Sequence, residues 1–128
     1  VAVVDFVFVG GGGTFNVATI DTAMGTDQDM GTNNINLAFD FTQLQFEPAK
    51  VTLDFLDLGG FENLAVNGST LFAGELSAAP ATVGGATVTV TTTPVPGGVS
   101  GTLELTGAID MVQVGGQEFW LDDVCASR

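Results

Sequence analysis

Carboxylates are the chemistry this chain has in quantity. It carries 15 Asp and Glu against two basic residues, Lys50 and Arg128, with no His, no Tyr and a single Cys. Without His or Tyr, the commonest general base and several common metal ligands are missing. Cys125, being alone, rules out an intrachain disulfide and a thiolate cluster. What remains is oxygen chemistry: hard ligands for a cation, acceptors for hydroxyl groups, or carboxylate pairs acting on a glycosidic bond. The densest grouping is the run Gly115 to Cys125, GGQEFWLDDVC, which reads as a turn followed by a strand ending in adjacent acids. Calcium takes six to eight oxygens, so Asp122 and Asp123 beside glycine carbonyls suit it. If Phe119 and Leu121 face a core, Trp120 shares the opposite face with Glu118 and Asp122. An indole between carboxylates can stack on a sugar ring while the acids accept hydrogen bonds from its hydroxyls. The same geometry suits burial between subunits, and a third reading places Trp120 in the core.

Other acids carry weaker signals. Asp27-Gln28-Asp29 matches half of an EF-hand loop, but no Glu stands at the required distance, so that motif fails and only a looser loop site remains. Asp54, Asp57 and Glu62 flank Gly59-Gly60 and either converge there or, as expected, are exposed acids beside a hairpin turn. A glycosidase needs two carboxyl groups roughly 5 to 9.5 Å apart. With this many acids some pair always meets that condition, and no nucleophile elbow, Ser-His pairing or phosphate loop accompanies them. The chain is read as non-enzymatic. Asn67-Gly68-Ser69 fits the N-glycosylation acceptor pattern and, more simply, an Asn-Gly hairpin turn. Cys125 is expected to be a small buried hydrophobe, with an intermolecular disulfide as the alternative.

The elements that must hold these residues are strands. Ile35, Leu37, Phe39 and Phe41 recur with period two, as do Val51, Leu53 and Phe55, Val88 and Val90, and Leu103 and Leu105. Further strands are expected over 1–9, 14–20, 61–66, 109–114 and 118–124. Gly10 to Gly13, Gly59-Gly60, Asn67-Gly68, Gly84-Gly85, Pro94 to Gly98 and Gly115-Gly116 separate them with turn chemistry. Residues 21–34 are polar and aperiodic and read as a long loop, and 73–81 is the one stretch suited to a helical turn. The expectation is a single all-β domain over 1–128, an antiparallel jelly-roll-like β-sandwich of about nine strands. Its net charge of −13 repels phosphate backbones and anionic lipids, which excludes nucleic-acid and membrane-surface partners. No apolar run reaches the ~18 residues of a membrane helix.

The residues 32–41 (TNNINLAFDF), 51–60 (VTLDFLDLGG), 63–68 (NLAVNG), Val83-Gly84-Gly85, 101–107 and Gly115 to Cys125 together resemble a jelly-roll-like domain of secreted bacterial surface proteins, over roughly residues 32 to 125. That resemblance implies export to the cell surface or beyond, and no enzymatic activity. The closing Asp122-Asp123 also resembles the end strand of carbohydrate-binding jelly rolls, where acids near both chain ends hold a structural calcium, which brings in Asp5 as a third ligand. The leading functional expectation is an extracellular structural or adhesive module, a subunit of a surface filament or matrix. Its apolar first strand, with Val1, Val3, Val4, Phe6 and Phe8, would pair with a neighbouring copy or another surface protein. The alternative is a carbohydrate-binding module that uses Trp120, Glu118 and Asp122 on glycans.

Overall fold

The computed structural model describes residues 2–5 as backbone, and residues 8–10, 16–25 and 27–128 with their side chains. The strands are β1 (Ala2–Asp5), β2 (Val17–Asp21), β3 (Asp29–Asn33), β4 (Ile35–Asp40), β5 (Lys50–Asp57), β6 (Glu62–Val66), β7 (Phe72–Gly74), β8 (Thr82–Val83), β9 (Ala86–Val95), β10 (Gly98–Thr106), β11 (Met111–Gly116) and β12 (Phe119–Ser127). A 3-10 turn, Leu76–Ala78, falls where a helical turn is expected. The strands form a five-stranded sheet in the order β1-β4-β11-β6-β7 and a seven-stranded sheet in the order β2-β3-β12-β5-β10-β9-β8. The chain passes between the sheets at β1–β2, β3–β4, β4–β5, β5–β6, β7–β8, β10–β11 and β11–β12, and the two antiparallel sheets pack as a sandwich. Strands β3, β7 and β8 account for the excess over the expected nine.

The inward faces follow the period-two pattern. Val51, Leu53 and Phe55 of β5 meet Leu103 and Leu105 of β10 in one layer. Leu37 and Phe39 of β4, Val112 and Val114 of β11, and Leu64 and Val66 of β6 form the other. Phe55 and Phe119 stack with ring centroids 5.6 Å apart. Each such side chain contributes roughly 1.5–3 kcal/mol by leaving water. The Asn-Gly turn after β6 forms as read from the sequence: Asn67 and Gly68 both have positive φ, 51° and 71°, as a type I′ turn requires.

Residues 21–34 are not a long loop. They contain the end of β2, a short connection and all of β3. The strand β3, DMGTN, lacks apolar alternation because Met30 and Thr32 take its inward positions and Asp29, Gly31 and Asn33 its outward ones. Thr32, buried, donates its hydroxyl to the Phe119 carbonyl at 3.2 Å and accepts the Gly116 N–H at 3.1 Å. Asp29, also buried, accepts the Met24 N–H at 2.6 Å and closes the β2–β3 connection.

Cys125 is exposed rather than buried. The cause is a β-bulge in β12: Asp122 faces Asp54 and Cys125 faces Thr52, so β12 spends one residue more than β5 between these pairs. Asp123 sits in the bulge with φ 49°. Before it Phe119 and Leu121 face the core; after it Val124 and Ala126 do, and Cys125 is turned outward.

The first strand is shorter than residues 1–9. β1 pairs antiparallel with β4 of its own chain, Ala2 opposite Phe39 and Asp5 opposite Asn36, and forms the outer edge of the five-stranded sheet. Val3 and Val4 lie opposite Ala38 and Leu37. Phe8 is half-buried, and Val1 and Phe6 lie outside the described residues. Val9 follows, its N–H and carbonyl both clamped by the Asn63 side chain at 2.8 and 2.7 Å.

Candidate functional site

Two places gather polar side chains. The first lies on the outer face of the seven-stranded sheet, where β2, β3 and β12 run side by side. Because Phe119 and Leu121 point inward and are fully buried, Trp120 points outward, as the alternation requires. Its cross-strand neighbour in β3 is Gly31, and the next residue along the row is Thr19 in β2. A Cβ on Gly31 would stand 2.8 Å from the indole Nε1 and 3.1 Å from Cδ1. The five-membered ring therefore rests on bare backbone, a position that only glycine leaves open. The indole N–H reaches across β3 to donate to Asp21 Oδ2 at 3.2 Å. An indole supported from below and tethered at its nitrogen is held across the sheet.

Around it runs a groove of about 350 Å³, lined by Val17, Thr19, Gly31, Thr32, Asn33, Glu118 and Trp120. Glu118 enters from the turn before β12. It has φ 50° and is exposed, and its carbonyl accepts the Leu58 N–H at 3.0 Å. The groove thus combines an aromatic surface and the Val17 methyls with hydroxyl, amide and carboxylate groups. Trp120 and Glu118 are together, as the sequence leads one to expect. Asp122 lies further along β12, opposite Asp54, and its Oδ1 accepts the Asp123 N–H at 2.8 Å. Asp54 in turn accepts the Thr102 hydroxyl at 2.7 Å. The two residues that position the indole, Gly31 and Asp21, were hidden in the stretch that reads as a loop.

The chain-end acids fall in different sheets. Asp5 is on β1 of the five-stranded sheet, whereas Asp122 and Asp123 are on β12 of the seven-stranded one.

The second place lies at one end of the sandwich interior. Asp57 continues the inward face of β5 beyond Phe55, and Glu62 opens the inward face of β6 ahead of Leu64 and Val66. Glu75 precedes the 3-10 turn. One carboxylate oxygen from each lies within 4.8 Å of the others, the one such grouping of three among the described residues. Asp57 is 5 % exposed and Glu62 is 0 % exposed, so these are not acids on the outside of a hairpin. Glu75 is exposed. Asp57 Oδ1 accepts the Gly59 N–H at 2.8 Å, and Glu62 Oε2 accepts the Leu76 N–H at 3.2 Å. Glu62 Oε1 is buried and has no hydrogen-bond partner. Burial pushes the Glu62 carboxyl up to about 8, and the charges of Asp57 and Glu75 push in the same direction. Burial also raises Asp57, against the hydrogen bond from the Gly59 N–H.

Both basic side chains are engaged elsewhere: Lys50 pairs with Glu104, and the Arg128 guanidinium lies 5.2 Å over the Phe46 ring. Comparison of the chain with protein-family models, with curated proteins and with solved structures gave no match.

Proposed function

We propose that this chain is a non-enzymatic carbohydrate-binding module whose binding face is the groove on β2, β3 and β12. The observation that carries the reading is the indole of Trp120 laid over Gly31 with its N–H held by Asp21. A sugar ring presents an apolar C–H face and a rim of hydroxyls. An aromatic surface with Glu118 and Asn33 beside it matches both features. Because the indole is already fixed, binding a sugar costs little side-chain entropy.

Trp120 is the only tryptophan, so its fluorescence reports on this groove alone. Titration with a panel of soluble polysaccharides is expected to change the emission for at least one of them. Trp120→Ala is expected to weaken pull-down on that polysaccharide tenfold or more, a loss of about 1.4 kcal/mol. Absence of binding across the panel would overturn the reading. A structural or adhesive role is favoured by a different observation: among the described residues β1 is paired on one side only and so presents an edge to a second copy or another surface protein. Regular filaments in electron micrographs that vanish when residues 1–9 are deleted would favour that role. Both readings place the protein outside the cell or at its surface, as the resemblance to secreted surface domains implies.

A further inference from the structure

Glu62 poses a problem that the rest of the fold does not answer. A fully buried carboxyl group is stable in a folded protein when its oxygens meet donors, a cation or a proton. One oxygen meets the Leu76 N–H; the other has no donor at all, and its nearest charged neighbours are two more carboxylates. The charged groups packed around it come from β5, as Asp57, and from the segment before the 3-10 turn, as Glu75. The side approached by β11 and β12 is uncharged, with Gly116 so placed that a Cβ there would stand 3.3 Å from Glu62 Cγ and 2.6 Å from Phe119 Cβ. Neither Lys50 nor Arg128 reaches the group.

We infer that Asp57, Glu62 and Glu75 form a calcium site that ties the end of β5, the start of β6 and the 3-10 turn together at one end of the sandwich. A divalent ion supplies the missing partner of Glu62 Oε1 and offsets the mutual repulsion of the three acids. Oxygens within 4.8 Å of one another are close enough to share one ion, and magnesium would demand near-ideal octahedral geometry from them. Calcium also accepts six to eight ligands in irregular arrangements. Bidentate carboxylates and water entering beside the exposed Glu75 can complete them. This site is separate from the acids at the chain ends and independent of the sugar-binding reading.

The protein is first stripped with a chelator, then titrated with calcium chloride by calorimetry at pH 7, with thermal melts in parallel. The expected result is binding of one calcium per chain and a melting temperature raised by roughly 10 °C at calcium a hundredfold above Kd. Glu62→Gln, close in shape and able to donate to Asp57, is expected to lose both effects, and Glu75→Gln, at an exposed position, to weaken them. Asp122→Asn with Asp123→Asn is expected to leave both intact. No calcium-dependent shift, a shift retained in Glu62→Gln and Glu75→Gln, or an equal response to magnesium would each overturn the assignment.

Discussion

The Trp120 groove and the Glu62 pocket lie on either side of one corner and treat their polar groups in opposite ways. In the groove each polar atom of the aromatic platform is already satisfied: the indole N–H has Asp21, and Gly31 removes the side chain that would lift the ring. In the pocket the polar group is left incomplete, with Glu62 Oε1 buried and unbonded beside two other acids. A satisfied, half-exposed surface is ready for a ligand arriving from solvent and costs the fold little when empty. A buried, unsatisfied acid destabilises the fold until a proton or a cation completes it. The difference teaches where to look for each effect: the groove should act on affinity and hardly on stability, and the pocket the reverse.

The largest expected effect is therefore the pH dependence of stability in the absence of divalent cations. Glu62 is raised in the folded protein from the ordinary glutamate value of 4.5 to about 8, so between these limits the native state binds the extra proton and the unfolded chain does not. Stability conferred by that proton is fully present below pH 4.5 and is lost as pH rises to 8, by on the order of 5 kcal/mol in all. Asp57, raised by burial as well, adds to the same slope. Chemical denaturation in chelator at pH 5 and pH 8 should show the fall, and Glu62→Gln should remove most of it. A flat profile in the unsubstituted protein would mean that the pocket is already completed by something other than a proton.

Next in size is the substitution that spoils the platform. Gly31→Val places a branched side chain where Thr19 Oγ1 and the indole already stand, 2.6 and 2.8 Å from the new Cβ. The indole must tilt away from the sheet and lose Asp21. A cost of about 1–3 kcal/mol in stability is expected, with red-shifted tryptophan emission and loss of polysaccharide binding. Retention of full affinity would separate sugar recognition from the platform and break the contrast. Asp21→Asn is milder. It keeps an acceptor for the indole N–H but removes the charge, and about 0.5–1 kcal/mol with a small emission shift is expected.

Much of this contrast was legible in the residues themselves. Phe119 and Leu121 inward with Trp120 outward followed from period two, and so did the core faces of β4, β5 and β10. The burial of the two acids was legible by the same rule: Val51, Leu53 and Phe55 lead to Asp57, and Val66 and Leu64 lead back to Glu62, all on inward parity. The expectation of exposed acids beside a turn put charge ahead of parity. Three features lay beyond pattern reading. β3 buries Thr32 on its inward face and Asp29 on its outward one, and both are explained by hydrogen bonds, to Phe119 and Gly116 and to Met24, that no local pattern encodes. Cys125 is outward because of a one-residue bulge at Asp123. Glu75 joins Asp57 and Glu62 from a distant segment, through the packing of the 3-10 turn against β6 and β9.

The smallest expected effect is the coupling between the two regions, and it bears most directly on whether they are separate. They meet at the Gly59-Gly60 turn. On its inner side the Gly59 N–H binds Asp57; on its outer side a Cβ on Gly59 would stand 3.9 Å from the Glu118 carboxylate. Leu58 N–H to Glu118 carbonyl and Gln117 N–H to Phe61 carbonyl stitch the corner together. Gly60, at φ 102° and with Gln117 Cβ 2.5 Å from where its own Cβ would be, holds that corner in one shape. A stiff corner transmits little as long as it has a single arrangement, because coupling requires an element with two. A double-mutant cycle between Glu62→Gln and Trp120→Ala, read by chemical denaturation with and without calcium, should then close to within about 0.5 kcal/mol. A coupling of 1 kcal/mol or more would mean that filling the acidic pocket moves Glu118, and that the ion sets the edge of the groove as well as the stability of the fold.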